Sequence, residues 1–218
     1  MTGEEGELLL EADQITFEYT PGTRVLDTWS AQFFAGTTTA LTGRSGRGKS
    51  TLLYLLGLML NPTSGNVIVD GETTAHLRDA DRARLRANKF GFVFQDAALD
   101  STRTVMDNIT ETALYRPGKR SALYPRAEEL LDKFGVKLPA HRKPGQVSGG
   151  QAQRIALCRA LLTEPMILLA DEPTGNLDPD STKVVVAALR EHAHTGAAVI
   201  VVTHSSDVAA ACDREIVL

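Results

Sequence analysis

The sequence contains little cysteine and no surplus of positive charge. Its two cysteines, Cys158 and Cys212, form no C-x-x-C pair and lie near no histidine cluster, so a disulfide framework or a zinc site has no support. The 23 lysines and arginines are outnumbered by 27 aspartates and glutamates, which gives a net charge of -4. Proteins that bind nucleic acid through a broad basic face carry the opposite excess. We therefore expect a chain from a reducing compartment, with no nucleic acid partner.

Long apolar segments are also missing. The longest apolar run, residues 52–60, is about half of the roughly 20 residues that a membrane-spanning helix needs. Residues 1–7 are acidic, whereas a secretory signal begins with basic residues followed by an apolar stretch. These absences predict a cytoplasmic protein without an export signal or a membrane span. The apolar run is interpreted as a buried helix.

The remaining composition is typical of one globular domain. With 43% hydrophobic residues among 218, the chain is long enough to bury a substantial core. Apolar residues alternate along residues 8–19 and 29–33, with Pro21 and Gly22 between them, which predicts two antiparallel strands. Continuous apolar runs at 166–171 and 198–203 predict parallel strands buried on both faces. Further predicted elements are strands at 37–42, 66–70, 90–95 and 215–218, and helices at 76–88 and 180–192.

One segment fits a phosphate-binding loop. It matches the pattern G-x-x-x-x-G-K-[ST] and lies between a strand and an apolar helix. Its glycines let backbone N–H groups point at one anion, Lys49 adds a positive charge for the β and γ phosphates, and the Ser50 hydroxyl can ligate Mg²⁺. The residues predicted to bind nucleotide here are Gly43, Arg44, Ser45, Gly46, Arg47, Gly48, Lys49, Ser50 and Thr51. A glycine-rich turn without a ligand is the alternative, which the full match and its flanks disfavour.

Two carboxylates follow the apolar strand at 166–171. Asp171 is suited to hold Mg²⁺, directly or through water, and Glu172 to orient and deprotonate the water that attacks the γ-phosphate. The alternative is an ordinary turn at a strand end, which the phosphate-binding loop makes less favoured.

A second helix start has the residues of an anion site. Ser148, Gly149, Gly150 and Gln151 precede a helix with apolar residues at helical spacing. Glycine allows close backbone approach, and the serine supplies a hydroxyl. By itself Ser-Gly-Gly is a common capping turn, so its interpretation depends on its position about twenty residues before the carboxylates.

Residues 102–162 have helical character, broken by Pro125 and Pro144 and without a strong strand. We expect a helical subdomain there, which interrupts the nucleotide-binding core. The preceding predicted helix, 76–88, carries the arginines Arg78, Arg82, Arg84 and Arg86. A solvated helix face is the main interpretation of these arginines, and contact with a membrane surface is the alternative.

The order of these motifs resembles the ATP-binding subunits of ABC transporters over nearly the whole chain. The resemblance is carried by the loop at 43–50, Gln95 at a strand end, residues 147–151, 167–172 and 176–178, and His204. Residues 92–95 and 170–178, with Gly65, are most similar to the branch that exports macrolides, lipoproteins, antimicrobial peptides and haem, and to the related cell-division ATPase.

The resemblance implies an α/β fold. We expect a P-loop NTPase core with a mixed, mainly parallel sheet, an N-terminal antiparallel β layer and an inserted helical subdomain. A single ABC ATPase domain would cover residues 1–218, with 1–95 and 163–218 as the nucleotide-binding core and about 96–162 as the helical subdomain.

The resemblance also implies roles for individual residues. Tyr19 would stack on adenine, a contact worth about 1–3 kcal/mol, although a strand-closing role is the alternative. Gln95 would reach Mg²⁺ and the water, and His204 would contact the γ-phosphate and hold Glu172. Asp178 would lie in a loop that crosses between two copies. ATP and Mg²⁺ are thus the implied cofactors; the implied catalytic residues are Glu172, His204 and Gln95, and the implied metal ligands are Ser50, Gln95 and Asp171.

A shared site implies two partners. The helix start at Ser148 of one copy would close on the ATP held by the loop of a second copy, so hydrolysis would require a dimer. A separate integral membrane permease would dock near residues 95–106, where Leu99, Val105 and Met106 were candidates for apolar contacts. The expected function is ATP-driven export or extraction of a hydrophobic or amphiphilic substrate from the cytoplasmic side of the membrane. A regulatory switch acting on cell-wall enzymes is the alternative; a soluble ATPase of translation or DNA repair is disfavoured.

Departures from the family pattern are few. Val147 replaces the usual leucine, a small apolar change. Arg44 and Arg47 occupy variable loop positions where smaller residues are common. Ser205 follows His204 where an aspartate is frequent, which leaves the environment of that histidine open.

Overall fold

The computed structural model describes residues 6–116, 118–139 and 141–218. Most of the acidic N-terminal segment used above to exclude an export signal, residues 1–5, lies outside these ranges. The strands are β1 (Leu8–Thr20), β2 (Thr23–Phe34), β3 (Thr38–Thr42), β4 (Ser64–Val69), β5 (Glu72–Thr73), β6 (Phe90–Val93), β7 (Ile167–Asp171), β8 (Ala198–Val202) and β9 (Arg214–Val217). The helices are α1 (Lys49–Leu56), α2 (Asp79–Lys89), α3 (Val105–Ile109), α4 (Tyr124–Lys133), α5 (Gly149–Leu161), α6 (Pro179–His194) and α7 (Ser206–Ala210).

The N-terminal strands form an antiparallel sheet in the order β2-β1-β4-β5. The two predicted opening strands pair as expected, with Leu10 opposite Phe33 and Gly22 in the left-handed region at the turn. The prediction did not assign β4 to a sheet; it pairs with β1, with Val69 opposite Leu10. The chain therefore returns to the antiparallel layer after α1.

The second sheet has the order β6-β7-β8-β3-β9, and each of its strand pairings is parallel. The predicted last strand pairs with β3 at the sheet edge. Parallel strands present their carboxyl ends along one edge, which is where ligands bind in open α/β sheets. The segments after β3, β6, β7 and β8 therefore meet there.

The continuous apolar runs of β7 and β8 divide between two hydrophobic cores. Leu168 and Ala170 face the core built with the helices α3 to α6. Ile167 and Leu169 face the core that α1 and the antiparallel sheet close. Successive side chains of a strand point to opposite faces, so the runs are apolar at every position because both faces are covered. The α/β fold class predicted from the sequence is confirmed.

The described residues between β6 and β7 form helices α3, α4 and α5 with short 3₁₀ turns. Helix α5 packs against β6 and joins this region to the parallel sheet. The proposed limits of the helical subdomain, about 96–162, stay a prediction. Within the described ranges, no helix combines the length and the apolar character needed to cross a membrane.

The arginines of α2 are divided between solvent and chain contacts. Arg82 donates a hydrogen bond to the carbonyl oxygen of Leu60 at 2.8 Å, and Arg86 donates to that of Leu58 at 2.7 Å. Arg78 and Arg84 pair with Asp81 on the exposed face. The solvated-face interpretation is thus wrong for Arg82 and Arg86, which anchor the segment after α1. A membrane contact is not needed to account for them.

Aromatic side chains connect β6 to α1. The rings of Phe90 and Phe92 stack with centroids 5.9 Å apart, and Phe92 and Phe94 repeat the arrangement at 5.9 Å. At the end of α1, Gly57 leaves room for Phe92: a methyl group on Gly57 would lie 2.5 Å from Phe92 Cε1. The absence of a side chain at Gly57 therefore allows α1 to pack closely on β6.

Candidate active site

A cavity of about 550 Å³ lies at the carboxyl edge of the parallel sheet. It brings together segments that are far apart in the sequence, from β1, β3, α1, β6, β7 and β8. Its lining residues are Tyr19, Val25, Gly43, Ser45, Gly46, Gly48, Lys49, Ser50, Thr51, Gln95, Asp171, Glu172, Val202 and His204. The predicted phosphate loop, both carboxylates and the three predicted side chains Tyr19, Gln95 and His204 thus share one cavity.

The loop between β3 and α1 is shaped by glycines. Gly48 has φ +84° and a methyl group there would lie 2.6 Å from Val25 Cγ1, so only glycine fits the turn into the helix. Helix α1 has no side-chain cap and no acidic residue in its first turn, which leaves N–H groups and the positive dipole end for an anion. Lys49 Nζ donates to the carbonyl oxygens of Gly43 and Arg44, at 2.9 and 3.1 Å. These contacts hold the ammonium over the loop.

Asp171 is a buried carboxylate in the cavity. Its residue is 2% exposed, and Oδ1 has no hydrogen-bond partner in the described part of the chain. Burial raises the pKa of Asp171, the negative charge of Glu172 raises it further, and Ser50 and Lys49 oppose the shift. A buried carboxylate oxygen without a donor costs free energy unless a cation approaches it.

The donor set here fits a magnesium ion. Mg²⁺ prefers oxygen ligands and is usually bound by one or two carboxylates together with substrate phosphates. Asp171 and the Ser50 hydroxyl offer such oxygens beside a phosphate loop. Across residues 6–116, 118–139 and 141–218, no group of three or more His, Cys, Asp or Glu side chains could hold a metal ion on its own. The site is therefore suited to a metal that arrives with a phosphate ligand.

Glu172 and His204 form a pair at the carboxyl ends of β7 and β8. Glu172 Oε1 lies 2.8 Å from His204 Nδ1, with the glutamate mostly buried and the histidine exposed. Glu172 has φ +46°, in the left-handed region, and its N–H donates to the carbonyl oxygen of Val202 at 2.9 Å. Unfavourable backbone at a non-glycine residue persists where surrounding contacts fix it. The imidazole orients a carboxylate that is suited to accept a proton from water.

Tyr19 and Gln95 stand at the margins of the cavity. Tyr19 is 62% exposed; its hydroxyl lies 3.1 Å from Thr51 Oγ1, and its ring meets Phe17 edge-on with centroids 4.8 Å apart. This leaves a ring available for a flat ligand. Strand β6 ends at Val93, two residues earlier than predicted, so Gln95 lies in the loop that follows it and is exposed.

Some predicted residues lie outside the cavity. Arg44 and Arg47 are exposed in the loop but do not line it. The helix start at α5, with Ser148, Gly149, Gly150 and Gln151, also contributes no lining residue. Instead Ser148 caps its own helix: Oγ accepts from Gln151 N at 3.2 Å, and Ser148 N donates to Gln151 Oε1 at 2.9 Å.

Asp178 has a capping role in its own chain. It precedes α6 and accepts hydrogen bonds from Ser181 N at 2.9 Å, Asp180 N at 3.1 Å and Ser181 Oγ at 2.6 Å. The bond from the Ser181 hydroxyl is the main cause that lowers the pKa of Asp178. Both carboxylate oxygens are thus occupied in shaping the turn before α6.

Several residues near the site were not found from the sequence. Val25 and Val202 form an apolar part of the cavity wall next to the phosphate loop. No sequence pattern distinguishes them from the other valines of the strands. Arg159 and Gln153 on α5 bind the loop that carries Gln95. A charged residue in the apolar stretch 155–162 was the signal that could have identified Arg159.

Comparisons with known proteins agree with this geometry. A family model described as ABC transporter matches residues 26–175. The lipoprotein-releasing system ATP-binding protein LolD of Bordetella avium is 38% identical over 220 residues, which cover 99% of this chain and 96% of LolD. The macrolide export ATP-binding/permease protein MacB of Photorhabdus laumondii is 39% identical over 94% of this chain. The match covers 32% of that MacB, so the chain spans about a third of its length.

Solved structures show the same fold. A dimeric structure of MJ0796, a bacterial ABC transporter cassette, has a TM-score of 0.91 at 33% identity and covers 96% of this chain and 94% of its own. A second dimeric structure of MJ0796, in a post-hydrolysis state bound to ADP and Pi, has a TM-score of 0.90 at 32% identity, with the same coverage.

Proposed function

This chain belongs to the ABC transporter family and is an ATP-hydrolysing, ATP-binding subunit of its exporter-like members, and from that premise we propose how its residues carry out the reaction. The loop from Gly43 to Thr51 binds the phosphates of ATP, and Lys49 supplies the positive charge for the β and γ phosphates. Tyr19 stacks on the adenine. The observation that carries this proposal is the shared cavity: loop, buried Asp171 and the Glu172–His204 pair line the same space.

Hydrolysis then uses groups that the cavity already aligns. Glu172 accepts a proton from the attacking water, and His204 holds the Glu172 carboxylate through the 2.8 Å contact while facing the γ-phosphate. Gln95 also positions this water. Asp171 and Ser50, with Gln95, would hold Mg²⁺, which would neutralise charge that develops on the β and γ phosphates. The unpartnered Oδ1 of Asp171 supports this assignment.

The second helix start acts on the other copy. Ser148 to Gln151 lie outside the cavity of their own chain, yet they have the backbone donors and the hydroxyl of an anion site. We assign them to the ATP bound by a second copy, with Asp178 shaping the loop between the two sites. The dimeric state of the MJ0796 cassettes, at up to 33% identity, supports the pairing.

Complementation between two inactive variants tests this assembly. Lys49→Ala weakens nucleotide binding in its own cavity, and Ser148→Arg blocks the contribution to the partner's cavity. A mixed dimer has one site with both defects and one intact site. Since half of the dimers in an equal mixture are mixed, roughly a quarter of the wild-type activity should return.

The measurement is ATPase rate in the mixture against each variant alone, at protein concentrations that favour dimers. Nucleotide titration of each variant separates the two defects: Lys49→Ala should bind ATP weakly, and Ser148→Arg should bind it normally as a single copy. No recovery of activity on mixing, with both variants folded and dimeric, would refute shared sites.

A membrane permease is the second partner, and the docking surface predicted from the sequence needs correction. Val105 and Met106 are buried in the core, because the capped helix α3 turns them inward, so their prediction as contact residues was wrong. The exposed alternative lies beside Gln95: a depression of about 620 Å³ bordered by Tyr54, Phe94, Gln95, Asp96, Ala98 and Asn176. It adjoins a smaller cavity that shares Phe94 and Ala98 and reaches Tyr115.

We assign the groove formed by this depression and the adjoining cavity to a cytoplasmic helix of the permease, because Gln95 connects the depression directly to the ATP cavity. Tyr115→Asp, at a residue 69% exposed, should abolish association with the permease and leave the ATPase of the separate chain unchanged. The control is Val217→Asp, on the edge strand β9 and 71% exposed. If the Tyr115 variant still binds its permease as well as the control does, the groove is the wrong surface.

The transported substrate is hydrophobic or amphiphilic, of the haem, macrolide, peptide or lipoprotein class, and the chain acts on the cytoplasmic side of the membrane. The names of the relatives support this class: LolD belongs to a lipoprotein-releasing system, and MacB to macrolide export. Purification of the chain from native membranes identifies the permease. The reconstituted complex should then show ATPase stimulation by a diacylated lipopeptide, haem, a hydrophobic peptide or a macrolide, and no response to any of them would exclude the class.

A further inference from the structure

The loop that carries Gln95 has an unusual backbone. Ala97 and Ala98 follow each other with φ +61° and +44°, the left-handed region that residues with a Cβ atom rarely adopt. Two such residues in succession keep this conformation only where contacts from elsewhere in the chain fix them. The contacts that fix this loop therefore also fix where Gln95 lies.

The side-chain contacts to the carbonyl oxygens of Phe94, Ala97 and Ala98 come from α5, and Asn108 of α3 holds Asp100 further along the loop. Arg159 donates from Nη1 to the carbonyl oxygen of Ala98 at 2.7 Å and from Nη2 to that of Ala97 at 2.8 Å. Gln153 Nε2, from a residue earlier on the same helix, donates to the carbonyl oxygen of Phe94 at 3.3 Å. The planar guanidinium suits two neighbouring acceptors in a way that a single ammonium does not.

Arg159 combines these two hydrogen bonds with a longer ion pair. It is buried, and Glu111 Oε2 lies 4.0 Å from Nη1. A buried cation is costly to desolvate, so its hydrogen bonds to the loop must offset that cost. The sequence cannot show this role, since carbonyl oxygens are present at every residue.

We propose that Arg159 is a positioning residue for ATP hydrolysis: it fixes the loop after β6 so that Gln95 reaches the magnesium and water side of the cavity. The inference rests on the proposed role of Gln95. Arg159 performs this from α5, the helix whose N-terminus carries Ser148.

Arg159→Lys tests the proposal, because lysine keeps the positive charge but loses the two-headed donor. In the full chain the turnover number should fall about 10- to 100-fold, the size of effect that follows misplacement of a catalytic group. The Mg²⁺ concentration at half-maximal rate should rise, while ATP affinity stays within about twofold of wild type. Amide hydrogen exchange at residues 96–99, measured without nucleotide, should become faster.

The control is Arg154→Lys on the same helix, where Arg154 donates to the carbonyl oxygens of Phe134 and Gly150 instead. It should leave the Mg²⁺ dependence and the exchange of the loop unchanged. Gln153→Met removes only the contact to Phe94, and should give a smaller change of the same kind. This second variant keeps the test informative if Arg159→Lys unfolds.

A double variant separates this inference from the role of Gln95. If Arg159 acts through Gln95, Gln95→Ala with Arg159→Lys should be no slower than Gln95→Ala alone. Effects that multiply would overturn the positioning role, as would wild-type turnover in a folded Arg159→Lys. If Gln95→Ala itself changes neither turnover nor Mg²⁺ dependence, the proposed role of Gln95 fails, and the inference fails with it.

Discussion

Helices α1 and α5 both begin with glycine and serine near a predicted phosphate, but their first turns differ. Helix α1 starts at Gly48 without a side-chain cap, so its N–H groups have no side chain competing with a ligand. Helix α5 starts with a capping box in which Ser148 and Gln151 satisfy each other. The first start is arranged for an anion that binds from within its own cavity. The second is stable alone and adds a contact only when another molecule approaches it.

The capping box leaves the hydroxyl proton of Ser148 available as a donor. Ser148 Oγ accepts a hydrogen bond from Gln151 N, and a hydroxyl that accepts in this way still has its own proton to donate. Ser148 is exposed, whereas Asp171 in the ATP cavity is buried. In the proposed assembly one copy binds ATP, whereas hydrolysis needs both helix starts on the same nucleotide.

Glu172→Gln removes the proposed base and leaves both helix starts intact. Turnover should fall by about three orders of magnitude, within the range that general base catalysis contributes. ATP binding should persist, and the two starts should stay closed on ATP, so an ATP-bound dimer accumulates. ATPase assays and size-exclusion chromatography with ATP measure both effects. Glu128→Gln, at an exposed residue of α4, is the control, and a Glu172→Gln variant that turns over normally would contradict the assignment.

Ser148→Ala changes only the second helix start. Turnover should fall about tenfold, since one hydrogen bond to a charged phosphate is lost, while ATP affinity of the single copy stays the same. Loss of the cap should lower the free energy of unfolding by about 1 kcal/mol.

Thr104→Ala is the matched control for this loss, because Thr104 caps α3 through a capping box of the same kind. It should lose similar stability by urea denaturation and keep its turnover. Equal loss of turnover in both variants would mean that Ser148 contributes only a cap, and the contrast between the two helix starts would disappear.

Asp171→Asn tests what the buried carboxylate beside the first helix start costs the fold. The pKa of Asp171 is raised above its ordinary value of 3.8, so the folded chain disfavours the charged form, and this group lowers stability as pH rises above that value. Without Mg²⁺ and nucleotide, the variant should be more stable than wild type at pH 7. The difference should vanish as pH falls toward 4.

Denaturation curves at the two pH values measure this effect. Asp132→Asn, at an exposed residue near the end of α4, controls for loss of a negative charge. Lower stability of Asp171→Asn at pH 7 would show that the carboxylate is already compensated within the chain. Mg²⁺-dependent turnover should be lost in either case.

Much of the fold was predictable because its strands carry their own signals. The apolar runs of β7 and β8 record burial on both faces, and the alternation in β1 records burial on one. The pairing of β4 with β1 leaves no such signal in the sequence. Pairing between strands that are distant in the sequence depends on which strands the fold brings together. Helix α3 has five residues, too few for a periodicity that would show Val105 and Met106 facing the core.

The residues of the site can likewise be divided into those that the sequence predicts and those that it does not. The loop from Gly43 to Thr51 and the carboxylates Asp171 and Glu172 are predictable, because their chemistry requires particular side chains at fixed spacing. The hydrogen bonds from Arg159 to the loop that carries Gln95 were not predictable, because their acceptors are backbone atoms. The cap made by Asp178 falls between these cases: the residue was found, and its contacts within its own chain were not.

The contact of Gly57 with Phe92 links two positions in evolution. A methyl group at 57 would lie 2.5 Å from the Phe92 ring, so Gly57 cannot gain a side chain while Phe92 keeps its place. A relative that gains a side chain at the position of Gly57 should have a smaller residue at that of Phe92, and its aromatic stack toward Gln95 would be interrupted. Covariation of these two positions among relatives would then trace how the α1–β6 contact was kept or replaced as the family diverged.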